Sequence, residues 1–245
     1  MSATRIALVT GANKGLGFET SRQLARQGIK VLMGARSLTR GKTAAKKLRR
    51  EGLDVEFIHL DVTKPEHIRQ AAQYIKDASG RLDILVNDAG MAQPEEFLSA
   101  NSTETVSPKV LRTIFDVNFF GLVELTQTLL PLIRNSDAGR IVNVSSILGS
   151  LTLHSKEGSG DQVKPFAYDA SKTAVNAFTI HLAAALKGTP IKVNSAHPGW
   201  VKTDMGGEQA PMSVQEGVKT AVMLATLGGD GPTGKFFHFK EELPW

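Results

Sequence analysis

The feature that most constrains the fold is a glycine-rich segment near the start of the chain, residues 10–17, with the sequence TGANKGLG. An apolar run at residues 6–9 precedes it and is typical of a buried parallel strand. An amphipathic stretch follows until Gly28 and indicates a helix that ends at a glycine. In this arrangement the N–H groups of a helix start can bind a pyrophosphate. The glycine spacing alone also fits an ordinary strand–helix turn.

The composition limits the class of protein. At 245 residues with 41% hydrophobic content, the chain can bury one sizeable core, and a second domain is not required. There is no cysteine for disulfides or thiolate sites, and the six histidines lack metal-ligand spacing, so no metal is expected. The first residues do not resemble a signal peptide, and no apolar run approaches about eighteen residues. We therefore expect a cytoplasmic protein with no membrane segment.

Apolar runs alternate with helical patterns along the rest of the chain. Further strands are predicted at residues 30–34, 55–59, 82–87, 139–145, 191–196 and 235–239. This alternation is typical of a parallel sheet with helices on both faces. We therefore predict an α/β protein: residues 1–245 form a single Rossmann-type, doubly wound domain with a seven-stranded parallel sheet flanked by helices. In such sheets, ligands bind at the carboxyl ends of the strands.

The end of the second predicted strand indicates which nucleotide binds. An acidic residue about twenty positions after the glycines holds the ribose 2′-hydroxyl of NAD, whereas an arginine nearby accommodates the 2′-phosphate of NADP. Ala35 lies near this position, Arg36 follows it, and Lys14 adds a positive charge within the glycine turn. The sequence therefore predicts NADP(H), with Arg36 at the 2′-phosphate. The alternative is that Arg36 faces solvent and is the first residue of a basic helix.

That basic helix is predicted at residues 39–52, where Lys and Arg lie above an apolar stripe. The net charge of +5 permits nucleic-acid binding but does not show it. Because no aromatic residues interleave with these charges, we interpret them as a solvated helix face rather than a nucleic-acid patch. No nucleic-acid partner is expected.

Residues at other strand ends are candidates for cofactor binding. Asp61 could accept a hydrogen bond from an adenine amino group, or it could cap the helix that begins at Pro65. The small residues of Asp88-Ala89-Gly90 would let a cofactor cross the fourth strand. Asn118 lies inside a helix predicted to open at Ser107-Pro108, where it could also mark side-chain packing or a local bend.

Tyr168 and Lys172 are four residues apart at the start of a predicted helix, and so share one face. Hydride transfer from a nicotinamide to a carbonyl leaves negative charge on oxygen, which needs a proton donor. A tyrosine has a pKa of about 10, so matching neutral pH requires roughly 4 kcal/mol. An ammonium about 5 Å away supplies roughly 3 kcal/mol at an effective dielectric of about 20. Tyr168 is therefore the predicted acid, and Ser146 the predicted hydrogen-bond donor to the substrate oxygen.

Seven residues in this order resemble the short-chain dehydrogenase/reductase family along nearly the whole chain: Gly11, Gly15, Gly17, Asn118, Ser146, Tyr168 and Lys172. The segments TGANKGLG and PGWVKTDM and the C-terminal Trp245 are most similar to its carbonyl reductase branch. The resemblance implies that Asn118 keeps a water in a proton relay with Lys172, and that Lys172 also holds the nicotinamide ribose. It further implies that Pro198-Gly199 and Thr203 bind the nicotinamide end.

The choice of Ser146 over Ser145 also follows from the resemblance, because Ser146 lies three residues before Gly149, as the catalytic serine of the family does. Two departures concern other positions. The usual Asn-Asn-Ala-Gly of the family is Asn87-Asp88-Ala89-Gly90 here, which leaves the role of Asp88 open. The stretch between Ser146 and Tyr168 is longer than the commonest spacing in the family.

These indications predict an NADPH-dependent oxidoreductase that reduces a ketone or aldehyde, with a small-molecule carbonyl or alcohol as its partner. The alternative is a redox-sensing protein that binds the nucleotide and a partner without turnover. The substrate and the oligomeric state stay open. The predicted catalytic residues are Asn118, Ser146, Tyr168 and Lys172. The predicted cofactor-binding residues are Gly11, Asn13, Lys14, Gly15, Leu16, Gly17, Arg36, Asp61, Val62, Asn87, Ala89, Gly90, Tyr168, Lys172, Pro198, Gly199, Val201 and Thr203.

Two segments are predicted to border the substrate. Residues 151–166 are polar and contain glycine, which favours a loop or lid, and residues 199–213 form a substrate-side loop. Shortening the stretch from Glu157 to Val163 should change substrate preference or apparent KM more than cofactor affinity. A substrate profile that stays the same in the shortened protein would argue against the lid.

Overall fold

The computed structural model describes residues 4–93, 103–157 and 165–245. Within these ranges, eight strands form one sheet in the order β3-β2-β1-β4-β5-β6-β7-β8. The strands are β1 (Ile6–Val9), β2 (Lys30–Ala35), β3 (Val55–His59), β4 (Ile84–Asn87), β5 (Arg140–Val144), β6 (Lys192–Ala196), β7 (Lys235–His238) and β8 (Glu241–Glu242). The first seven strands pair in parallel, whereas β8 pairs antiparallel with β7.

Helices connect the strands. They are α1 (Gly15–Arg26), α2 (Leu38–Arg50), α3 (Pro65–Ser79), α4 (Pro108–Phe115), α5 (Gly121–Arg134), α6 (Leu151–His154), α7 (Phe166–Ala185), α8 (Val214–Gly217) and α9 (Lys219–Ala225). A π-helical segment, Asp116–Phe120, joins α4 to α5, and a 3₁₀ helix spans Ile147–Gly149. In the described part of the chain, no helix has the length and apolar character needed to cross a bilayer.

Two apolar cores lie on opposite faces of the sheet because successive side chains of a strand point to opposite sides. Ala7 and Val9 pack on one face with α1, α2 and α9. Leu8 packs on the other face with α3, α5 and α7. The prediction of a doubly wound α/β fold is therefore confirmed. The seven parallel strands are present as predicted, and the two-residue β8 is an addition, since Glu241–Glu242 is exposed and carries no apolar alternation.

The strand order places one crevice at the centre of the sheet. The chain runs from β1 outward to β3, then returns to β4 on the other side of β1. Ligands bind at such a switch point, outside the carboxyl ends of the strands. The glycine turn after β1, the loop after β4 and the loops after β5 and β6 all meet at this edge. This edge carries most of the predicted site residues.

The two predicted substrate segments differ in how far they are described. Residues 151–154 form α6 rather than a loop, and residues 158–164, within the predicted lid, lie outside the described residues. The loop at 199–213 folds back on itself, because Lys202 N donates to Met212 O at 2.9 Å and Met212 N donates to Trp200 O at 3.2 Å. It ends in a capping box, in which Ser213 and Glu216 satisfy each other's amides at the start of α8.

Candidate active site

The glycine turn brings helix α1 close to the sheet. A Cβ added at Gly17 would lie 2.7 Å from the carbonyl oxygen of Gly11 and 2.8 Å from Oδ2 of Asp88, so only glycine fits there. Helix α1 begins at Gly15 with no side-chain cap and no acidic residue in its first turn. Its first N–H groups and its dipole therefore remain suited to an anionic group.

A cavity of about 630 Å³ lies outside the start of α1, within the size range of small-molecule sites. The positive side chains in its lining are Lys14, Arg40 and Lys47, and Asn13 and Asp204 also contribute. Arg40 and Lys47 are exposed, in agreement with a solvated face of α2, and they also line this cavity. Arg40 and Lys47 are seven residues apart, two turns of α2, and this spacing on one helical face is the signal in the sequence that could identify them.

Arg36 lies just past the carboxyl end of β2 with its side chain exposed. His59 Nε2 donates to its carbonyl oxygen at 3.1 Å, which fixes the backbone. The positive charge of Arg36 acts on Asp61 from across the β2–β3 edge. Lys14 forms an ion pair with Asp204 of the 199–213 loop. The charge of Lys14 is therefore shared with a carboxylate that lies 190 positions away in the sequence.

Asp61 and Val62 form the turn after β3. Burial opposes ionisation of Asp61, but two hydrogen bonds from Thr63, at 3.0 and 2.8 Å, lower the pKa of its carboxyl group. The N-cap position of α3 belongs to Lys64, so Asp61 stabilises the turn before the helix rather than capping it directly. Val62 is buried, and its carbonyl oxygen lies against Gly121 of α5. An adenine contact from Asp61 stays a prediction.

The side chain of Asn87 is held by partners on α5 and β5. Its Nδ2 donates to Thr126 Oγ1 at 3.0 Å and to Asn143 Oδ1 at 2.9 Å. A cofactor contact from Asn87 stays a prediction. The loop that follows is held by Thr10, whose Oγ1 accepts from Asp88 N and Ala89 N, both at 2.9 Å.

Asp88 lies between the start of α1 and Lys172. Burial raises the pKa of Asp88 to about 7, although the charge of Lys172 and a hydrogen bond from the Gly17 amide act in the opposite direction. The sequence alone assigns no role to Asp88. The structure places its carboxyl group in the crevice beside Leu16 and Pro198.

Replacing Asp88 with asparagine should stabilise the protein more at pH 8 than at pH 4.5. The folded-state pKa of about 7 exceeds the ordinary 3.8, so the native carboxyl holds a proton that the unfolded chain has released. Stability therefore falls as pH rises from about 4 to about 7, by at most about 4 kcal/mol. Thermal melts across this range should show a Tm advantage of Asp88→Asn that grows with pH. A constant advantage, equal to that of the exposed control Asp54→Asn, would contradict this account.

Lys172 is 6% exposed and projects from α7 into the crevice. Its Nζ donates to Val144 O at 2.8 Å, and its other two N–H groups have no partner among the described residues. Burial lowers the pKa of Lys172 to about 8, and the nearby Asp88 opposes this shift. Nζ also lies 5.6 Å from the ring centroid of Tyr168, so the helix brings the two predicted residues together.

Ser145 and Ser146 are in different environments. Ser145 Oγ donates to the carbonyl oxygen of Lys172 at 3.4 Å, which ties β5 to α7. Ser146 caps the 3₁₀ helix, since its Oγ accepts from Leu148 N at 3.2 Å. The Ser146 hydroxyl hydrogen is therefore available for another acceptor. A Cβ at Gly149 would lie 2.7 Å from the Lys172 carbonyl carbon, which explains the Ser-x-x-Gly spacing.

Asn118 lies in the π-helical segment and is 1% exposed. Its Oδ1 accepts from Met91 N at 2.8 Å, and its Nδ2 donates to Met91 O at 2.9 Å and to Ser171 Oγ at 3.0 Å. Asn118 thus ties the loop after β4 to α7. Single π-helical turns are frequent at functional sites. The side-chain packing that the sequence suggests for Asn118 is present, and the water relay stays a prediction.

The loop after β6 reaches the glycine turn. Gly199 has a φ of 87°, and Val201 is buried where it pairs with Met212. The Thr203 methyl group lies 3.7 Å from the position of a Cβ added at Gly15. This loop therefore lies against the glycine turn, and its contact with substrate stays a prediction.

Comparisons with known proteins agree with this geometry. Residues 5–213 match the short chain dehydrogenase family. Carbonyl reductase (NADPH) 1 of Mus musculus is 35% identical, with all of both chains covered. Salutaridine reductase of Papaver bracteatum is 34% identical, covering 97% of this chain and 95% of that one.

A solved structure of similar fold is the NADPH-bound carbonyl reductase from chicken fatty liver. It superposes with a TM-score of 0.85 at 26% identity, and 99% of each chain is covered. The resemblance inferred from the glycine turn and the Ser146, Tyr168 and Lys172 set is thus confirmed at the level of the family: this chain belongs to the short-chain dehydrogenase/reductase family.

Proposed function

We propose that this protein is an NADPH-dependent reductase that converts a ketone or aldehyde carbonyl to an alcohol. The observation that carries the proposal is the buried ammonium of Lys172, which lies beside the Tyr168 ring and has two N–H groups without partners in the described structure. The relatives named as NADPH carbonyl reductases support the same activity.

The residues around the crevice fit a dinucleotide. A Cβ added at Gly90 would lie 3.5 Å from Asn118 Oδ1 and 3.6 Å from Lys172 Nζ, so the glycine keeps space open in front of the ammonium. We assign that space to the nicotinamide ribose, with its hydroxyls as acceptors for Lys172. The start of α1 would hold the pyrophosphate. Arg36, just past the end of β2, would bind the 2′-phosphate together with Arg40 and Lys47 of the cavity lining. When bound, the nicotinamide supplies the hydride.

The side chains of this chain supply the remaining chemistry. Tyr168 donates a proton to the substrate oxygen as negative charge develops there. The nearby Lys172 ammonium stabilises the phenolate that remains. Ser146, whose Oγ already accepts from Leu148 N, donates its hydroxyl hydrogen to the same substrate oxygen. Asn118 holds the loop after β4 against the start of α7, next to these groups.

A substrate panel tests the proposal. The purified protein should oxidise NADPH, followed at 340 nm, with at least one member of a panel of aldehydes, ketones and quinones. Ser146→Ala should lower that rate by about 100-fold or more, because it removes one preorganised donor to the substrate oxygen. Tight NADPH binding with no turnover across the panel would instead favour the redox-sensing alternative.

A further inference from the structure

The 3₁₀ helix that follows Ser146 starts with amides that need acceptors outside the helix. Ser146 satisfies two of them: its Oγ accepts from Leu148 N, and its carbonyl oxygen accepts from Gly149 N at 2.8 Å. The Ile147 amide is satisfied from elsewhere in the sequence. It donates to Nδ1 of His197 at 3.2 Å, across 50 positions of the chain.

His197 is the first residue after β6 and directly precedes Pro198-Gly199. Its own amide donates to Phe237 O at 2.7 Å, and its carbonyl oxygen accepts from Nδ1 of His238 at 3.1 Å. The two imidazole centroids are 5.0 Å apart. The position of His197 is therefore fixed by β7 on one side, and its ring reaches the serine loop on the other.

The hydrogen bond fixes the chemical form of His197. A backbone N–H can only donate, so Nδ1 must be unprotonated and the ring hydrogen must lie on Nε2. Burial, together with the charge that His238 can carry, lowers the pKa of His197 to about 4. The imidazole consequently stays a neutral acceptor throughout the neutral pH range.

We propose that His197 is a positioning residue of the reaction: its Nδ1 holds the Ile147 amide and so sets Ser146 relative to the nicotinamide-side segment Pro198-Gly199. This inference rests on the proposed role of Ser146 as the donor to the substrate oxygen. Both loops leave neighbouring strands, β5 and β6, and His197 is the side chain that joins them next to the predicted catalytic hydroxyl.

Two substitutions test the role. His197→Leu removes the acceptor, whereas His197→Asn places Oδ1 near the position of Nδ1 and keeps one. We expect His197→Leu to lower kcat by about 10- to 100-fold, the effect of a displacement of about 1 Å in a reacting group. NADPH affinity, measured by fluorescence titration, should change little, and His197→Asn should restore most of kcat. The exposed His181→Leu on α7 is the matched control and should leave both quantities unchanged.

Near-normal kcat in His197→Leu, or equal losses in the leucine and asparagine variants, would overturn the proposal. Imidazole ¹⁵N chemical shifts of the wild-type protein give a readout that depends on neither folding of a variant nor turnover. They should show His197 as the neutral Nε2–H form, with unprotonated Nδ1, from pH 6 to pH 8; a protonated Nδ1 would also overturn it. If the shifts agree but Ser146→Ala keeps full activity, the donor role of Ser146 fails and the positioning role of His197 fails with it, while the His197–Ile147 bond and the reductase activity stand. The proposed function itself fails only if no member of the substrate panel is turned over.

Discussion

Replacing Tyr168 with phenylalanine is expected to lower turnover by about 100-fold or more while NADPH binding persists. The substitution removes only the hydroxyl, so the proton donor is lost and the ring stays beside Lys172. Lys172 keeps its bond to Val144 O and its remaining N–H groups for the ribose. The measurement is kcat on the best substrate of the panel, together with NADPH affinity by fluorescence titration.

The chain offers a matched control, because Tyr74 is the one other tyrosine. Tyr74 lies on α3, its hydroxyl donates to Glu56, and this bond raises its pKa to about 12. Tyr74→Phe should leave kcat and NADPH affinity unchanged. Near-normal turnover in Tyr168→Phe would show that another group supplies the proton.

Replacing Arg36 with alanine should raise the apparent KM for NADPH by about 10- to 100-fold and leave the KM for NADH nearly unchanged. Charge-assisted hydrogen bonds between a guanidinium and a phosphate contribute about 1.5 to 3 kcal/mol to binding. NADH has no 2′-phosphate, so its binding does not depend on these bonds. Arg36 is exposed at the end of β2, and its charge already influences Asp61. Added salt should weaken NADPH binding selectively in the wild-type protein.

The structure refines this second expectation. Arg40 and Lys47 line the cavity outside the start of α1, so Arg40→Ala should produce a further selective loss for NADPH. Arg50, at the last turn of the same helix, is outside the lining and serves as the control for general loss of charge. If Arg36→Ala raises the apparent KM for NADPH and for NADH equally, Arg36 does not bind the 2′-phosphate. This result would leave the proposed reductase activity unaffected.

The parts of the fold that local sequence pattern determines were predictable. The apolar runs of β1, β2 and β4 are nearly continuous because these parallel strands are buried on both faces. The glycine turn requires residues without a side chain, because a Cβ added at Gly17 would lie 2.7 Å from the carbonyl oxygen of Gly11. Strand β8 could not be predicted, since two exposed glutamates carry no periodic signal.

The site was predictable where one helix or one turn carries it, as for Tyr168 and Lys172. Contacts that join distant segments were not. His197 and Ile147 are 50 positions apart, and Lys14 pairs with Asp204 across 190 positions. The orientation of Asn87 depends on Thr126 and Asn143, which only the folded sheet brings alongside. Pairings of this kind follow from topology rather than from residue type or spacing.

The most direct test of the central claim is the fate of the hydride. The wild-type protein is supplied with NADPH carrying deuterium at both C4 positions, and the alcohol formed from the best panel substrate is analysed by mass spectrometry and NMR. The account predicts one deuterium on the carbinol carbon of every product molecule, with one NADPH oxidised per alcohol formed. Alcohol without deuterium at that carbon, or NADPH binding with no alcohol at all, would contradict it.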